Sequence, residues 1–111
     1  MRIVCIFYDG TVPQTEADEY VEIRSYGMGA VNLAGWYLRD IKDGTPTFNF
    51  PSFLLQAGQT IRVYTNQVHP ESGGFSFGRG TSIWNNTNPD RAGLFNPQSV
   101  LVSDKSYPPG C

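Results

Sequence analysis

The stretch Asp18-Glu19-Tyr20-Val21-Glu22-Ile23-Arg24-Ser25, followed by Val31-Asn32-Leu33-Ala34-Gly35-Trp36-Tyr37-Leu38-Arg39-Asp40, decides the fold. In its first half Val21 and Ile23 fall on one side and Tyr20, Glu22 and Arg24 on the other. A period of two marks a strand with one buried and one wet face. The second half repeats the pattern, with Trp36 and Leu38 opposite Tyr37 and Arg39. Gly27 and Gly29 between them supply a turn. Two such strands with their apolar sides in common seed a β core, and Trp36 is the residue expected at its centre.

Working outward, residues 2–8 form an expected strand. Their apolar run is too short for a signal peptide and meets Asp9 and Gly10 without a small-residue cleavage site. Thr47-Phe48-Asn49-Phe50 places two phenylalanines on one face before Pro51 stops the ladder. Thr60-Ile61-Arg62-Val63-Tyr64-Thr65 alternates cleanly, with Ile61 and Val63 inward. Between Asn66 and Gly80 lies a long loop holding His69, the only histidine. Segments 81–84, 92–96 and 99–103 read as further strands. No stretch of ten residues has helical periodicity uninterrupted by Gly or Pro. Seven to nine short strands in 111 residues predict a single all-β domain over 1–105, a sandwich or barrel, with 106–111 as a tail.

Composition narrows the function. The net charge is −2, and the eight basic residues are scattered singly, unlike the basic track that nucleic acid or an anionic membrane requires. No apolar run reaches the length of a membrane-spanning helix. The glycines of 73–80 match neither a phosphate loop nor a dinucleotide fingerprint. His69 has no Cys or His neighbour with zinc spacing and is expected to be an exposed loop residue. Cys5 and Cys111 read as a small core residue and a free thiol; a bond between them is the alternative, and it requires the ends of the chain to meet.

Two candidate sites remain. Asp9, Glu16, Asp18, Glu19 and Glu22 fall in one basic-free interval, and the first four are candidate Ca²⁺ ligands, since that ion takes several carboxylate oxygens. The spacing is not that of an EF-hand, and a solvated acidic loop is the plainer reading. Tyr20, Tyr37 and Tyr64 all fall on the outer faces of strands and form a candidate binding patch, although aromatics are also ordinary strand formers. Asn85-Asn86-Thr87 matches a glycosylation sequon.

The ordered segments resemble the lamin tail domain, an immunoglobulin-like module. Residues 19–23 resemble its "EYVEI" strand, 31–40 its "vnLtGW.L.D" signature and 48–51 its "f.FP" segment. Residues 55–65 are similar to "L.aGq.i.VyT", and 83–94 to "iWnn.gD.a.L". The resemblance implies an immunoglobulin-like β-sandwich without catalytic residues or cofactor. It implies a protein–protein or scaffolding role, often beside secreted or membrane-associated enzymes. A Ca²⁺- or carbohydrate-binding module using the acidic loop is the alternative. DNA binding, proposed for lamin tails, ranks lower because this chain is mildly acidic.

Overall fold

A computed structural model describes residues 1–13, 15–85 and 87–111. Gln14 of the acidic loop and Asn86 of the sequon lie outside the described residues. Ten strands are formed among them: β1 (Arg2–Phe7), β2 (Tyr20–Arg24), β3 (Val31–Asn32), β4 (Tyr37–Asp40), β5 (Thr47–Asn49), β6 (Leu54–Leu55), β7 (Thr60–Tyr64), β8 (Phe75–Ser76), β9 (Arg91–Phe95) and β10 (Leu101–Ser106). They build an immunoglobulin-like sandwich of two four-stranded sheets, β1-β2-β7-β8 and β10-β9-β4-β5, with a small β3-β6 pair. All pairings are antiparallel except β7 with β8.

The alternation in β2 and β7 is realised as expected. Val21 pairs with Val63 and Ile23 with Ile61, and all four are buried against the opposite sheet. Leu38 of β4 and Leu94 of β9, a cross-strand pair, supply the facing layer. A bulge in β1 after Ile3 resets the pleat, so that both Ile3 and Ile6 reach the core. Each of these side chains contributes about 1.5–3 kcal/mol on burial.

Three expectations are corrected. The centre of the core is Trp84, fully buried, whereas Trp36 is half-buried and precedes β4. Gly35 has φ +85°, and a Cβ there would sit 3.2 Å from Pro97, so the chain turns sharply before Trp36 and swings it to the rim of the sandwich. Residues 81–84 form no strand: their backbone is held by a side chain, described below.

The third correction concerns the ends. Cys5 and Cys111 are disulfide-bonded, with Cα atoms 4.4 Å apart, so neither is a free thiol. The segment expected as a tail is docked: Ile6 N donates to Gly110 O (2.9 Å), and buried Tyr107 stacks on Tyr8 at 4.4 Å. Proline at 108 and 109 gave this segment the look of a linker. The free edge of β1 and the Tyr8 ring give it a place to bind.

Candidate functional site

The four candidate calcium ligands are not gathered together. Asp18 closes the acidic loop on itself: Oδ2 accepts from Thr11 N (2.8 Å) and Thr11 Oγ1 (2.6 Å), and Oδ1 from Val12 N (3.0 Å). Partial burial works against its charge, but these bonds outweigh it and hold the carboxyl below its ordinary range. Glu19 points the other way, into the protein, where it is fully buried. Its Oε1 accepts from Thr65 Oγ1 (3.0 Å), Ile83 N (2.9 Å) and Trp84 N (3.4 Å), while Oε2 has no partner among the described residues. Burial pushes this carboxyl up to about 7 against the pull of those donors, with the nearby Glu16 charge adding to the rise. Glu19 is therefore the bolt that holds the Trp84 segment in place of a strand partner. Asp9 is exposed and Glu16 half-buried at the loop surface.

The carboxylates that do converge are Asp40, Asp43 and Asp90, with oxygens within 4.8 Å of one another. Asp40 and Asp90 are buried; Asp43 is exposed. Asp40 Oδ1 caps the turn after β4, accepting from Lys42 N (3.1 Å) and, more weakly, Asp43 N (3.4 Å). Asp90 Oδ2 accepts from Asn85 N (3.1 Å), and Asp90 N donates to the Tyr107 hydroxyl (3.0 Å). Burial, and then the Asp90 charge, raise the Asp40 carboxyl to about 6; burial also raises Asp90. A cleft of about 460 Å³ beside the trio is lined by Lys42, Arg91 and Ser106 among others, and Lys42 Nζ is held by Pro89 O (3.0 Å). The trio ties the β4 turn to the start of β9. Sequence reading missed it because its members lie up to 50 positions apart (40 to 90); the signal was an acid at the close of 31–40 and another just before β9.

The tyrosine patch is split. Tyr37 lies on the outer face of the second sheet, stacked on Phe95 at 4.7 Å, with Arg39 5.2 Å above its ring. Tyr20 and Tyr64 are direct cross-strand partners on the outer face of the first sheet, their centroids 5.3 Å apart. Phe7 continues the row from β1 at 5.3 Å, and His69 closes it, stacked on Tyr64 at 4.0 Å. His69 is thus not a loose loop residue: Gln67 and Glu71 hold its two ring nitrogens at 2.8 and 2.9 Å. Arg62 lies over Tyr20, its Cζ 4.2 Å from the centroid, with Nε on Glu22 (3.0 Å) and Nη1 on Tyr64 Oη (3.3 Å). The hydrogen bond to Tyr64 favours the guanidinium charge and, with Glu22, outweighs its partial burial. Tyr64 is almost covered by these neighbours; Phe7, Tyr20, Arg62 and His69 remain half-exposed.

Two features now stand together: a sandwich whose motif residues serve the fold, with Glu19 as bolt and Trp84 as core, and an alignment that spans nearly all of it. The Lamin Tail Domain family model matches residues 2–108. The chain belongs to the Lamin Tail Domain family. No curated protein matches it. Lamin tail domains are immunoglobulin-like modules that are generally non-catalytic, and the family match includes Tyr107, the buried residue that follows β10.

Proposed function

We propose that this lamin tail domain is a non-catalytic interaction module that recognises a protein partner through the outer face of the β1-β2-β7-β8 sheet. The observation that carries the reading is the row Phe7–Tyr20–Tyr64–His69 with Arg62 laid across it. Aromatic and arginine side chains are the types enriched at the energetic centres of protein interfaces. Here they are held rigid before any partner arrives, which lowers the entropy lost on binding. The hydrogen bonds fixing His69 and Arg62 orient a surface rather than prepare a nucleophile or a proton donor.

The test is capture of partners from an extract of the source cells on immobilised wild-type domain and on Tyr20→Ala and Arg62→Ala variants, with Tyr37→Ala as a control on the opposite sheet. A partner retained by wild type and Tyr37→Ala, and lost from the other two, supports the reading. Equal retention by all four overturns it.

A further inference from the structure

The same sheet face carries a second feature at its other end. The register of β1 with β2 sets Arg2 directly opposite Arg24, both exposed. Like charges directly across a strand pair oppose its formation. The chain has acids to spare, ten against eight bases, yet neither guanidinium meets a carboxylate among the described residues. Glu22, the acid on the same face of β2, is occupied by Arg62 at 3.0 Å. The two guanidinium groups instead both lie over one ring, with Cζ atoms 5.8 Å (Arg2) and 5.5 Å (Arg24) from the centroid of Tyr26. Tyr26 opens an exposed loop, 26–30, that also presents a fully exposed Met28.

We propose that Arg2, Arg24 and Tyr26 form a clamp for the carboxylates of an acidic peptide segment of the partner, with Met28 taking an adjoining apolar side chain. Guanidinium forks match carboxylates in bidentate geometry, and two of them held on a common ring present that geometry twice. Methionine adapts its shape to an apolar neighbour at little cost. Charge complementarity selects a local acidic segment: two arginines on a chain of net charge −2 are a point of attachment, not a phosphate track. The proposal deepens the preceding one, because Arg24 continues the outer face of β2 from Tyr20 and Glu22.

The experiment uses the full chain and a fluorescein-labelled nonapeptide with glutamates around a central phenylalanine, followed by anisotropy at low and moderate salt. Saturable binding is expected, weakening steeply with salt, lost when the glutamates become glutamines, and at least about tenfold weaker for the Arg2→Gln/Arg24→Gln variant. No binding to wild type overturns the proposal, as does undiminished binding to the double variant. Displacement of the peptide by inorganic phosphate at equal concentration also overturns it, since that would assign the clamp to phosphate. The two proposals fail separately. Partner capture that survives Tyr20→Ala, with peptide binding still dependent on Arg2 and Arg24, sinks the aromatic reading alone. Peptide binding indifferent to the arginines, with capture lost in Tyr20→Ala, sinks the clamp alone.

Discussion

At the residue scale the decisive side chain is Glu19, an acid placed where apolar neighbours are the rule. One oxygen serves three donors, which lets residues 83–84 cross the core without joining a sheet. Its carboxyl, raised to about 7, binds its proton more tightly in the folded protein than in the unfolded chain. The stabilisation linked to that proton is therefore whole below the ordinary carboxyl range and is lost as pH rises through 7, by an amount on the order of 1–3 kcal/mol. Asp40, raised to about 6, adds to the same slope at lower pH. Urea unfolding at pH 5 and pH 8 is expected to show wild type losing stability with pH, and Glu19→Gln losing clearly less. Identical pH slopes would mean that Glu19 is ionised throughout. The two tryptophans give a second check. Trp84→Ala is expected to cost about 3–5 kcal/mol, as large-to-small changes in a closed core do, and Trp36→Ala distinctly less. Equal losses, read from denaturation midpoints, would return Trp36 to the centre.

At the element scale, the strands legible in the sequence are those whose own alternation reports their burial. β2 and β7 announce themselves because Val21, Ile23, Ile61 and Val63 are all buried, while Tyr20, Glu22, Arg24, Thr60 and Arg62 between and beside them are not. β3, β6 and β8 are two residues each, too short for any period to appear. Residues 81–84 had a strand's composition but owe their position to Glu19, a partner 64 positions away from Ile83. The site was half legible for the same reason. Alternation put Tyr20, Tyr37 and Tyr64 on outer faces, but only strand order decides which outer face, and β4 belongs to the other sheet. The disulfide was a question of topology too, because β1 and the C-terminal segment meet only once the sandwich closes. It links positions 106 apart, a long loop whose closure restricts the unfolded chain by about 4–5 kcal/mol in the chain-entropy account. Reductant is accordingly expected to lower the wild-type Tm by some 10–20 °C and to leave Cys5→Ala/Cys111→Ala unmoved at that lower value. A wild-type Tm indifferent to reductant, with two titratable thiols, would show the bond absent in solution.

At the scale of the whole molecule, the question is where the folded unit stops. Residues 106–111 close the sandwich by three separate means. Tyr107 is buried, stacked on Tyr8 and bonded through its hydroxyl to Asp90 N; Gly110 O receives Ile6 N; Cys111 is bonded to Cys5. The fit at Gly110 is close, since a Cβ there would lie 2.1 Å from Ile6 O, so only glycine lets the segment reach β1. A chain ending at Lys105 loses all three attachments, whereas Cys5→Ala/Cys111→Ala loses one. Removing Tyr107 also withdraws a large buried ring from beside the Asp40–Asp90 pair and leaves Asp90 N without its acceptor, a loss of about 3–5 kcal/mol by comparison with other aromatic truncations. The truncated chain is therefore expected to melt below the double cysteine variant, and Tyr107→Ala in the full chain to recover most of that gap. If the truncation and the cysteine variant melt together, Tyr107 contributes nothing and the domain ends with β10. If the truncation lies lower and Tyr107→Ala accounts for it, the sandwich is completed by this residue, and the face that carries Phe7 and Arg2 on β1, with Arg24 beside them on β2, depends on the far end of the chain for its rigidity.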